Sequence, residues 1–80
     1  MKIYDYNGKK NICVERLREA RVVQRLRQED LAAKIQTMGV NLERDSISRI
    51  EIGTRFVSDF ELKVFAKALG VSVNWLLDDK

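Results

Sequence analysis

Eighty residues, 45% of them apolar, furnish one small domain with one core, and a net charge of +3 is too slight to define a partner by itself. One cysteine and no histidine argue against a disulfide framework, a zinc finger and histidine-based catalysis, leaving Cys13 as a small buried hydrophobe. No apolar run approaches the roughly 20 residues of a membrane span and the N-terminus lacks a signal-peptide core, so the expected compartment is a reducing cytoplasm.

The first ten residues, MKIYDYNGKK, alternate over positions 3–6 and carry an Asn7-Gly8 turn signal, but too little follows to build a lasting partner strand. Residues 1–11 are therefore read as a mobile arm and residues 12–80 as the folded domain. Charge is uneven along this division. Residues 1–27 hold eight Lys/Arg against three Asp/Glu, and residues 28–80 hold seven against nine. A positive end suits a polyanion, because neutralised phosphates release condensed counterions, although a merely solvated helix face has the same composition.

A first helix is expected over residues 12–24, capped by Asn11, with Cys13, Leu17 and Ala20 facing inward and mainly arginine outward. The second begins near Gln28, with Glu29 and Asp30 at its positive end and Leu31, Ala32 and Ile35 toward the core, and Gly39 breaks it. On a third helix over about residues 44–52, the 3.6-residue repeat puts Ile47 and Ile50 on one side. Asp45, Ser48, Arg49 and Ile52 fall on the other, and Gly53 stops the helix. The fourth helix has the clearest start: Ser58 and Glu61 make a capping box, Val57 and Leu62 a hydrophobic staple, and Gly70 ends it. A short fifth helix follows, capped by Ser72, stapled by Val71 and Leu76, and anchored by Trp75.

Helices this short are marginal alone, so the expected fold class is an all-α globule of five helices packed face to face. The expected core is Leu17, Leu31, Ile35, Leu42, Ile47, Ile50, Leu62, Phe65, Leu69 and Trp75. A short helix pinned by a buried seam, with polar forks outward, has the shape that enters a DNA major groove.

Residues 28–32 (QEDLA), 46–53 (SISRIEIG) and 68–77 (ALGVSVNWLL) resemble the phage-repressor-like, XRE-type helix-turn-helix domains, in this order and over residues 12–77. The resemblance implies the lambda-repressor-like five-helix fold, a third helix reading the major groove of double-stranded DNA, and homodimers on operators with two related half-sites. It places Gln28 against a phosphate at the start of the second helix, with the backbone N–H groups there. Arg44, Asp45 and Arg49 fall at base edges: an arginine there can donate two bonds to guanine, and Asp45 can accept from cytosine or only restrain Arg49. Ser46 and Ser48 are weaker candidates for phosphate or base, while Thr54 and Arg55 lie in the loop that follows the DNA backbone. Arg21 and Glu51 occupy the positions of a structural salt bridge between the first and third helices.

Departures from the family pattern are local. The joint between the second and third helices is longer than the usual compact turn, so either the second helix is extended or the turn is wider. Glu43 stands where a capping Ser, Thr or Asp is expected, near phosphates that its charge would repel. Arg25 replaces the glycine that closes the first helix, and Arg27 the cap that opens the second. Ile52 is an apolar residue on the outward face, suited to a thymine methyl or a partner protein.

These features imply a DNA-binding transcriptional regulator, a repressor acting as a homodimer, with Phe56, Val57 and residues 75–77 as dimer candidates. Nothing in the chain calls for a cofactor, metal, membrane or small-molecule ligand, and no nucleophile has an adjacent base, so an enzyme is not expected. The alternative is a protein-interaction module, an antitoxin or adaptor on the same fold, favoured by Ile52 and by the acidic residues that offset the arginines of the third helix.

Overall fold

A computed structural model describes residues 8–77. Five helices follow in chain order: α1 (Val14–Val23), α2 (Gln28–Gln36), α3 (Arg44–Ile52), α4 (Asp59–Leu69) and α5 (Val73–Leu77). No β-sheet forms among the described residues, and the fold is the expected all-α globule. The alternation over residues 3–6 lies outside the described residues.

The centre is Phe65 of α4, fully buried together with Leu17 of α1, Leu31 and Ile35 of α2, Ile47 and Ile50 of α3, Leu76 of α5, and Leu42 of the α2–α3 joint. α3 rests in the angle between α1 and α2, while α4 closes over α1 and α2 and α5 packs on α1 and α4. Two expected core residues sit elsewhere. Leu62 and Trp75 are only half-buried and flank the cluster, and Leu76 takes the interior position on α5. A helix of five residues can point few side chains inward, so the indole is left at the edge, where the Arg16 guanidinium covers it 4.5 Å from the ring centre.

The chain punctuation explains where each helix starts and stops. α1 begins at Val14, two residues later than the sequence implies, and Asn11 does not cap it. Instead the Asn11 amide spans the loop after α3: its Nδ2 donates to the Arg55 carbonyl at 2.9 Å and its Oδ1 accepts from the Val57 N–H at 2.8 Å. Loop backbone has no ladder to satisfy it, and the Asn11 side chain meets one of its acceptors and one of its donors, while α1 starts at Cys13 without a side-chain cap. Together with the bond from the Lys10 N–H to the Gly53 carbonyl, this fastens residues 10 and 11 to the body of the domain.

α1 closes on Arg25, which adopts the left-handed φ of 60° that glycine would take without strain. α2 opens without a capping hydroxyl. The Asp30 carboxylate makes the reciprocal half of a capping box alone, taking the Arg27 N–H at 2.8 Å and pairing with the Arg27 guanidinium, which holds the Asp30 carboxyl below its ordinary range. α4 carries the capping box read from its sequence: Ser58 N–H donates to Glu61 Oε1, and Glu61 N–H to Ser58 Oγ. The Ser72 hydroxyl accepts from the Trp75 N–H and starts α5.

Candidate nucleic-acid interface

α3 divides largely as its periodicity implies, with Ile47 and Ile50 fully buried and Asp45, Arg49 and Ile52 exposed, while Ser48, expected on the outer side, is half-buried. Gly53 ends it at φ +98°, a conformation that calls for glycine, and a Cβ added there would lie 3.0 Å from Lys9 Cγ and press that side chain aside. The Arg49 carbonyl then gathers the N–H groups of Gly53, Thr54 and Arg55 and the Thr54 hydroxyl, which turns the chain sharply away from the helix end.

Beneath the helix lies Glu51, whose side chain is only 4% exposed. Arg21 of α1 donates to it twice, Nε to Oε2 at 2.7 Å and Nη2 to Oε1 at 3.0 Å, and spends its remaining Nη1 on the Leu26 carbonyl. Gln28 of α2 adds Nε2 to Oε1 at 3.0 Å, and Arg18 stands at the rim, 3.9 Å away. One carboxylate thereby ties α1, α2 and the turn between them to the C-terminal half of α3.

The outer surface is also paired, but in water. Arg49 Nη2 lies 2.9 Å from Asp45 Oδ2 one turn back, with side chains 64% and 68% exposed. Arg44 Nε approaches Glu29 Oε1 of α2 at 3.9 Å, and Glu29 also faces the Arg27 guanidinium at 3.5 Å. A guanidinium has five donors, so each arginine keeps most of its fork free for a further acceptor. Ser46 and Ser48 are half-buried beside them.

Seven residues, 37–43, join α2 to α3, more than the about 3–4 of the usual helix-turn-helix joint. α2 is not extended; the turn itself is wide. It is nevertheless braced, by Gln36 Nε2 on the Leu42 carbonyl at 2.9 Å, by the Thr37 hydroxyl on the Lys34 carbonyl, and by the burial of Leu42.

A model of a family described as "Helix-turn-helix domain" matches residues 14–76, from the first residue of α1 to the penultimate residue of α5. The chain belongs to this family. It is related to the XRE/Cro-type domains, and membership suggests a DNA-binding regulator of a kind that is typically not an enzyme. No curated protein matches the chain.

Within the helix-turn-helix domain, several side chains singled out from sequence have internal work. Gln28 directs its amide to Glu51, which leaves the backbone N–H groups of the α2 start as the more available donors. Arg55 is held by Glu61 through Nη1–Oε1 and Nη2–Oε2 contacts of 3.2 Å each, and its Nη1 also reaches the Phe56 carbonyl. Burial alone would raise the Glu61 carboxyl, but the Arg55 guanidinium and the Ser58 N–H outweigh it and hold it below its ordinary range. Cys13 is buried, which pushes its thiol up and keeps it protonated. Among the described residues no helix is long and apolar enough to cross a membrane, and no cluster of acidic, cysteine or histidine side chains could hold a metal.

Three of these contacts are not expected from the sequence. Asn11 to the post-α3 loop and Gln28 to Glu51 join positions 44 or more and 23 residues apart, and no local pattern announces them. Arg55 to Glu61 had a partial signal, since a capping-box glutamate uses one oxygen for its cap and leaves capacity for a nearby cation.

Proposed function

We propose that the domain is a sequence-specific DNA-binding transcriptional regulator, a repressor that occupies an operator as a homodimer with α3 in the major groove. The observation that carries this reading is the two-sided build of α3: a fully buried isoleucine seam below, and Arg44, Asp45 and Arg49 standing in solvent above. Arg44 and Arg49 would read guanine, Asp45 would accept from cytosine or steady Arg49, and Ser46 and Ser48 would meet phosphate or base. The α2 start at Gln28 and the loop residue Thr54 would meet the backbone. Arg55, held by Glu61, would act there chiefly by fixing the loop. For self-association, Val57 is buried in the core and Trp75 lies under Arg16, which leaves Phe56, Phe60 and Leu77 as the exposed large apolar residues toward that end of the chain.

A protein-interaction role on the same fold has its own support. Ile52 is 68% exposed at the end of α3, and each arginine on that face has a carboxylate beside it. Electrophoretic mobility shift on promoter fragments across a salt series separates the two readings. Binding that weakens steeply with salt supports the regulator, whereas no binding to any fragment, or affinity indifferent to salt, overturns it.

A further inference from the structure

The α2–α3 joint carries an exposed side chain that takes no part in the proposed DNA contacts of α2, α3 and the loop after α3. The Leu42 N–H donates to the Val40 carbonyl at 3.0 Å, closing a three-residue turn with Asn41 at its apex. Both ends are anchored. Val40 packs against the core, Leu42 is buried within it, and Gln36 grips the Leu42 carbonyl from α2. Asn41 itself is exposed, its amide makes no hydrogen bond within the described residues, and it borders a shallow depression lined with Gln36, Gly39 and Val40. Gly39, at φ +86°, gives the turn a bend that other residues rarely adopt. An asparagine side chain has few rotatable bonds, so a fixed backbone goes far toward fixing its amide.

We infer that Asn41 is a further specificity-determining residue, whose amide reads an adenine edge next to the base pairs met by the start of α3. Recognition helices of this motif contact base edges with their N-terminal residues, and Asn41 lies just two residues before Glu43, the residue at the α3 N-terminus. An asparagine amide matches adenine N7 as acceptor and N6 as donor, a bidentate pair that no other base offers in the major groove. The widened turn, which would otherwise be surplus chain beside the groove, thus supplies a reading group that a compact turn has no room to carry.

The inference rests on the DNA-binding reading of α3, and the test keeps the two apart. Wild type, Asn41→Ala and Asn41→Asp are each used to select bound sequences from a random duplex pool, with melting temperature measured in parallel. Wild type should return a motif containing an adenine preference that Asn41→Ala reduces by about 5- to 100-fold, leaving the other positions and the melting temperature unchanged. Asn41→Asp should move that position toward cytosine, whose N4 donates to a carboxylate. A wild-type motif that Asn41→Ala leaves intact, or weakens equally at every position, overturns the role of Asn41 alone. Failure of wild type to select any motif overturns the reading of α3 and this inference with it.

Discussion

The same pair of groups, a guanidinium and a carboxylate, occurs on both sides of α3 with opposite physical consequences. Below the helix, Arg21 and Glu51 are 11% and 4% exposed and share a network with Gln28 and the Leu26 carbonyl. Above it, Arg49 and Asp45 are mostly in water and bond only within one turn. Desolvated charges are costly unless every bond is made, so the inner pair cannot be broken without leaving a buried charge uncompensated and out of water. The outer pair can open at little cost, because water replaces each lost contact. One pair can therefore orient the helix, while the other remains available to a ligand.

The largest expected effect follows from breaking the inner pair. Arg21→Ala leaves Glu51 with only Gln28 and the distant Arg18, and urea denaturation should show a loss of about 3 kcal/mol. Replacing both charges, Arg21→Met with Glu51→Leu, should recover most of that stability, since the penalty lies in the orphaned carboxylate rather than in the missing attraction. A double variant as unstable as the single one would show that the bridge itself stabilises the fold.

An intermediate case lies between the two. Arg55 and Glu61 are partly shielded, and the Glu61 carboxyl is held below its ordinary value. A carboxyl with a depressed folded pKa contributes stability that is complete above its unfolded value of about 4.3 and is lost as pH falls through the lower folded value. Wild type should thus shed stability below about pH 4, and Glu61→Gln should flatten part of that acid limb while costing about 1–2 kcal/mol at pH 7. Urea midpoints across pH 7 to 3 decide it; parallel acid limbs in the two proteins would mean that another carboxylate governs the loss.

Breaking the outer pair should leave the fold almost untouched. Asp45→Asn and Arg49→Ala are each expected to change stability by no more than about 0.5 kcal/mol. Their effects belong to binding. Arg49→Ala should lower discrimination at its base pair by about 5- to 100-fold, and Asp45→Asn should tighten binding to unrelated duplexes by removing a negative charge from the phosphate-facing side. Competition titrations with specific and random DNA measure both, and a destabilised Asp45→Asn protein would erase the distinction between the two sides of α3.

The contrast also marks what could be read from the chain. The periodicity of residues 44–52 gave both sides of α3, because a 3.6-residue repeat encodes burial directly, and Ser58 with Glu61 gave the α4 start, because a capping box is a contact over three residues. The inner network resisted such reading. Gln28 looks like an ordinary first-turn residue until α3 is folded beside it, and Asn11 has the local signature of a helix cap while serving loop groups 44 and 46 residues away. Trp75 departs from expectation for a related reason: its size argues for burial, but the length of α5 and the cation of Arg16 determine how much of it is covered.

The smallest prediction ties a backbone strain to the inner pair. Arg25 holds a left-handed φ of 60° in the α1–α2 turn, a conformation that costs a side-chain-bearing residue about 1 kcal/mol. Such strain persists only where neighbouring contacts enforce it, and here the Leu26 N–H is bonded to the Arg21 carbonyl while the Leu26 carbonyl accepts from Arg21 Nη1. Arg25→Gly should relieve the strain and raise stability, offset in large part by the added freedom of glycine in the unfolded chain, for a net gain of no more than about 0.5 kcal/mol. In an Arg21→Ala background the turn loses its side-chain brace and can relax unaided, so the same substitution should gain less. A double-mutant cycle on thermal unfolding measures the difference, and an equal gain in both backgrounds would detach the turn from the Glu51 network and leave its strain a purely local matter.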